Sequence, residues 1–235
     1  MAGGGTTATT RPLAYTATIT GEHDISGAYR QGVARHGDAW IFTTNDGIYR
    51  TDEAFTRTSQ AEPAIPAALG AQTYDHIGDG DVEGDVLWVP VEKADKDQGE
   101  QVLARYDAAS LAFRDSFVVP QHHASFVAVG SDGTIYSTDE FSDSAIQRYR
   151  LAGASLERLT PLPMDRTVER IQGGDVADDA LWLSTDDASN GVFRVDLQTG
   201  AVQEVGSLGH VDGEGEGIDA KLVPVRLVDL AVAPG

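Results

Sequence analysis

The stretch DALWLSTDDASNGVFRVDL (Asp179–Leu197) carries a plan that recurs three more times along the chain. A turn leads into an apolar strand holding Trp182. An acidic loop with Asp186 and Asp187 follows, and then a second strand carrying Arg194. Short β-rich runs bounded by Gly, Asp and Asn read as strands. The same plan appears in GDAWIFTTNDGIYRTD (Gly37–Asp52), GDVLWVPVEKADKDQGEQVLARYD (Gly84–Asp107) and GTIYSTDEFSDSAIQRYRL (Gly133–Leu151). Trp40, Trp88 and Tyr136 hold the aromatic position, and Arg50, Arg105 and Arg148 the arginine position. By residue number the four arginines lie 55, 43 and 46 positions apart, the first interval stretched by the insert VEKADKDQGEQ. Repeats of about 40–50 residues built from several short strands are the mark of a β-propeller.

Working outward, each hairpin is preceded by another short strand: QGVARH, HIGDGDV, HASFVAV and RIQGGDV. A fifth copy begins at GEGEGIDAKL (Gly213–Leu222) and continues into VRLVDLAVA. LAYTATIT (Leu13–Thr20) matches the outer strand LAFRDSFV (Leu111–Val118) but has no blade of its own. The expectation is an all-β, five-bladed propeller over 13–235, in which Leu13–Thr20 completes the last blade and closes the ring. Closure hides sheet edges that would otherwise template aggregation. Residues 1–12, MAGGGTTATTRP, are expected to be a flexible lead.

Composition narrows the partners. The 235 residues hold 37 acidic against 17 basic side chains, a formal net charge of −20. Such a field repels phosphate backbones, so nucleic acid is not an expected partner, while cations and cationic ligands are drawn in. No apolar run approaches the roughly 20 residues of a membrane-spanning helix. With no Cys, disulfide and thiol chemistry are excluded. The expectation is a monomer acting on a small molecule, with an extracellular location favoured over a cytoplasmic one.

The repeat HASFVAVGSDGTIYSTD (His123–Asp139) resembles those of NHL-type propellers and of the SMP-30/gluconolactonase superfamily. The segment GEGEGIDA is similar to the one at which that superfamily places a metal-binding glutamate, which implies Glu216 as a ligand and a lactonase or esterase activity. The superfamily's Pro-Asn-Gly segment has no counterpart in this chain.

YDHIGDGDVEGD (Tyr74–Asp85) imitates a calcium loop. Asp79, Asp81, Glu83 and Gly84 fall at EF-hand positions 1, 3, 5 and 6, but position 12 is Pro90, which offers no side-chain ligand. The repeat alignment makes VEGD an inter-strand turn instead. His76 falls at the start of an innermost strand. Aligning the inner strands brings Gln31, His76, His123, Arg170 with Gln172, and Glu214 with Glu216 to one mouth of a central channel. Imidazoles with carboxylates suit a transition metal, and Gln31, Gln172 and Glu216 would supply oxygens for calcium. The expected ligands of a divalent metal ion are therefore His76, His123, Glu216, Gln31 and Gln172. Glu214 or Asp79 is the expected general base, and Arg170 the clamp for an anionic group. The expected function is metal-dependent hydrolysis of an ester or lactone; the alternative is a propeller that binds a metal or ligand without turnover.

Overall fold

Alternating apolar residues, cut by turns at Gly84 (φ 59°) and Gly133 (φ 75°), fold the repeats into antiparallel sheets. The structure is a computed structural model describing Ile25 and residues 29–95, 99–139, 142–208 and 215–221. Blade 1 is β1 (Gly32–His36), β2 (Ala39–Thr43), β3 (Ile48–Thr51) and β4 (Arg57–Ala61), in that order. A short helix, α1 (Ala67–Gly70), leads to blade 2. Its innermost strand is broken into β5 (Tyr74–Ile77) and β6 (Asp81–Glu83), both paired with β7 (Val86–Lys93); β8 (Gln101–Asp107) and β9 (Phe113–Val119) complete it. Blade 3 is β10 (Val127–Val129), β11 (Thr134–Ser137), β12 (Ser142–Ala152) and β13 (Ser155–Arg158), with β14 (Leu162–Glu169) pairing the first half of β12. Blade 4 is β15 (Ile171–Ala177), β16 (Ala180–Thr185), β17 (Gly191–Asp196) and β18 (Val202–Ser207).

The described residues thus form four blades where the repeat count led to five. Leu13–Thr20, expected to close the ring, lies outside the described residues, as do residues 1–12. Of the fifth copy, Gly215–Lys221 is described and forms no ladder. The reason is local: the amides of Ile218 and Ala220 go to the carboxylates of Asp79 and Asp175, not to strand carbonyls.

The blades pack face to face through three apolar clusters. Ile41 and Ile48 of blade 1 meet Leu87 and Val89 of blade 2. Trp88 and Leu103 of blade 2 meet Val127, Ile135 and Tyr149 of blade 3. Phe126, Tyr136 and Ile146 meet Leu181 and Leu183 of blade 4. The repeated aromatics Trp88 and Tyr136 are therefore inter-blade core, as their position in the repeat leads one to expect. Trp182 is half-buried and donates its indole N–H to Ala177 O at 3.3 Å. The arginine series divides too. Arg105 forms a fork on Asp115, at 2.6 and 2.5 Å, and lies over the rings of Trp88 and Phe117. Arg148 instead donates to Thr160 O.

Glycine brings the inner strands to the axis. A Cβ on Gly32 would lie 2.6 Å from Asp79 Cα, one on Gly78 2.2 Å from Ser125 O, and one on Gly217 2.5 Å from Asp79 Oδ1. Hydroxyls from second strands tie neighbours together: Thr43 Oγ1 donates to Gly78 O at 2.8 Å, and Ser184 Oγ to Glu216 O.

Candidate functional site

The break between β5 and β6 places Asp79 on the axis. Its backbone pairs with blade 3, through Asp79 N to Ser125 O at 2.8 Å and Val127 N to Asp79 O at 3.0 Å. Oδ1 accepts the amide of Val33 at 3.0 Å; Oδ2 accepts those of Gly174 at 3.1 Å and Ile218 at 3.2 Å. One carboxylate so joins blade 1, blade 4 and Gly215–Lys221, while its own backbone holds blades 2 and 3. The side chain is fully buried. Burial raises its pKa well above the usual carboxylate range, and the three amides pull the other way. Asp79, expected as a general base at an open channel, instead fills the axis, with both oxygens engaged by backbone amides.

At the β5 end of the axis the chain gathers a different group. His76 sits directly opposite Glu92 across the β5–β7 ladder, so both side chains share a face. Glu92, 1% exposed, pairs through Oε1 with His123 Nδ1 and accepts the Ala124 amide at 2.5 Å. His123 is 4% exposed. Asp139 fixes this backbone from the next loop, taking His123 N–H on its carbonyl at 3.0 Å and His122 N–H on Oδ1 at 2.9 Å. Ser125 Oγ lies 3.1 Å from Thr138 Oγ1, below the same mouth. His76 borders a cavity of about 280 Å³ with Asn45, Asp75, Lys93 and Ala94. Lys93 Nζ stands 5.0 Å over the Tyr74 ring and 3.7 Å from Glu100. Asp46 and Asp75 are exposed at this end.

The expected site residues are therefore only partly united. His76 and His123 flank Glu92, which the sequence marks only as one loop acid among several. Arg170 pairs with Asp186, donating Nε to its carbonyl at 2.6 Å and Nη2 to its carboxylate. Gln31, just before β1, and Gln172, on β15, are half-buried, and Glu216 is held to blade 4 through its carbonyl. Glu214 lies outside the described residues. Among the described residues no three His, Asp or Glu side chains converge as a metal centre requires. The expected ligand set His76, His123 and Glu216 is not gathered into such a centre: His76 and His123 meet at Glu92, and Glu216 is tied through its carbonyl to Ser184 on blade 4. The signal for Glu92 was present in the chain: it lies near the end of the second strand of the blade whose first strand holds His76.

The four described blades around a glycine-packed axis define a β-propeller. No protein-family model and no curated protein matches the chain by sequence. Solved structures match by fold. The glutaminyl cyclase of Myxococcus xanthus superposes with a TM-score of 0.66 at 13% identity, covering 90% of this chain and 89% of that one. The calcium-binding protein regucalcin of Agrobacterium tumefaciens superposes with a TM-score of 0.50 at 13% identity, over 80% of this chain and 62% of that one. A luciferin-regenerating enzyme gives 0.51 at 13% identity, over 83% and 63%. The resemblance to SMP-30-type propellers thus holds at the level of fold, and the chain spans about two thirds of the length of those last two structures. Among the described residues no helix is long and apolar enough to cross a membrane.

Proposed function

We propose that the chain is an enzyme that transfers protons at the mouth formed by His76, Glu92 and His123, acting on an amide, ester or lactone carbonyl next to a cationic amine. The observation that carries the reading is the Glu92–His123 pair. A carboxylate bound to Nδ1 fixes the imidazole tautomer and makes Nε2 the basic nitrogen, the orientation a general base needs. His76, on the same face beside its cavity, is placed to return the proton to a leaving group. The exposed Asp46 and Asp75 and the net charge of −20 favour a substrate carrying an ammonium group. Cyclisation of an N-terminal glutaminyl residue has this form: an amine attacks its own side-chain amide and ammonia leaves. The likeness to a glutaminyl cyclase fold supports testing that reaction first.

The assay is ammonia release from a glutaminyl peptide, alongside hydrolysis of an aryl ester and a lactone. The expected result is turnover on one of the three, falling at least about 100-fold in His123→Gln and Glu92→Gln. Turnover on none of them, or unchanged rates in both variants, would overturn the reading. The near-complete burial of both partners favours a second reading, in which the pair is a clip between blades 2 and 3 in a binding propeller. In that case the same variants lower the melting temperature and no substrate is turned over.

A further inference from the structure

At the far end of the axis from His76 lies a cavity of about 410 Å³ on which Asp81, Asp175 and Asp219 converge. Each carboxylate crosses a seam between units of the ring. Asp81 Oδ2, from blade 2, accepts the Val129 amide of blade 3 at 2.7 Å. Asp175 Oδ2, from blade 4, accepts the Ala220 amide at 2.6 Å, and Asp219 accepts the Arg35 amide of blade 1. The remaining oxygens of Asp81 and Asp175 take the amides of Val82 and Val176. Arg35 and Lys221 are the cations lining the cavity, Glu83 flanks Asp81, and Asp79 lies behind Asp175.

Three carboxylates close enough to repel one another, with two cations nearby, resist full ionisation. Burial raises Asp81 to about 6, with Asp219 and Glu83 adding to the rise, and its two amides opposing it. Burial raises Asp175 to about 8, with Asp81 as the next contribution. Asp219 is raised by burial and pulled back by Arg35 and Lys221.

We propose that this cluster is a proton-controlled clamp: with a proton held among Asp81, Asp175 and Asp219 the three seams are stapled, and its loss loosens the seams that Gly215–Lys221 makes with blades 4 and 1. Raised values in the folded state mean that the folded form holds protons the unfolded chain has released. The stabilisation is complete below the ordinary carboxylate range and is lost as pH rises through about 6 and about 8. While one such proton separates the two states, each pH unit multiplies the unfolding constant roughly tenfold.

The test is urea unfolding from pH 5.5 to 9, with native-state hydrogen exchange at the Val129 and Ala220 amides. The expected result is a stability that falls steadily above pH 6 and an exchange protection at Ala220 that falls with it, after correction for intrinsic rates. Asp175→Asn, which cannot ionise, is expected to flatten the profile. Equal wild-type stability at pH 5.5 and 9 would overturn the proposal. So would an undiminished slope in both Asp175→Asn and Asp81→Asn. If Asp175→Asn does not fold, Asp81→Asn and wild-type exchange decide, and pH-independent protection of Ala220 refutes the clamp.

Discussion

Replacing Asp79 by Ala removes the acceptor of three backbone amides, those of Val33, Gly174 and Ile218, contributed by three separate units of the ring. A buried amide left without an acceptor costs about 1–3 kcal/mol, so three give roughly 3–9 kcal/mol. Two effects reduce that sum. The variant no longer buries a carboxylate against its desolvation penalty, and water can enter the vacated space to meet some of the amides. We expect a net loss of about 3–5 kcal/mol, a large fraction of the 5–15 kcal/mol that holds a typical domain together. Asp79→Asn separates the contributions. Its carbonyl can keep Gly174 and Ile218, while its NH₂ faces the Val33 amide, so one amide is unmatched and the loss is about 1–3 kcal/mol. Urea unfolding followed by fluorescence of the buried Trp88 measures both. A loss under about 1 kcal/mol in the Ala variant would refute the idea that this carboxylate holds the ring. Equal losses in the two variants would show that its charge, and not its acceptor count, is what matters.

Gly78→Ala is expected to cost about 1–3 kcal/mol by overpacking, because the added carbon would stand 2.2 Å from Ser125 O, a backbone atom with little room to yield; a melting temperature equal to wild type would contradict the tight axis. The turn carboxylates titrate in the opposite sense to the seam cluster. The Ser110 amide lowers Asp107, the Thr134 amide lowers Asp132, and the Thr199 hydroxyl lowers Asp196, each followed by further local hydrogen bonds. Lowered values contribute stability above the ordinary carboxylate range that disappears as pH falls through them. Melting temperature should therefore drop on acidification below about pH 4, and Asp132→Asn should make that drop shallower; an acid limb identical to wild type would count against the assignment.

The blades were legible because their information is local. Aromatic, turn and arginine positions repeat within single hairpins, and Gly84 and Gly133 take the left-handed conformations their turns demand. The site was less legible because its contacts are remote. Asp79 meets residues 46, 95 and 139 positions away, and Glu92 bonds an amide 32 positions on. In one dimension Asp79 is an acid between two glycines, with the look of a turn. Its partners share a further feature that could have exposed it: Gly32 and Gly173 lie on other inner strands and Gly217 in Gly215–Lys221, and a side chain on any of them would run into Asp79, together with Thr43 at Gly32 and Ser184 at Gly173. Glycines at matching places in several inner strands predict that something fills the axis. An acid flanked by glycines in another inner strand is the natural candidate.

The three groups of carboxylates follow one rule with opposite outcomes. At exposed turns such as Asp132, local donors outweigh desolvation and the ionised form is favoured. At the seam cluster, each acid still receives two backbone amides or an arginine, yet burial and mutual repulsion prevail and a proton is retained. On the axis, Asp79 takes three amides and burial is complete. From turn to seam the number of backbone amides stays at about two, as at Asp107 and Asp175, and it reaches three at Asp79; burial is what decides the direction of the shift. A chain with 37 acidic residues can therefore use the outer ones for turn geometry and the inner ones for joining blades. The two uses meet in a stability maximum at mildly acidic pH, with the turns failing below it and the seams above.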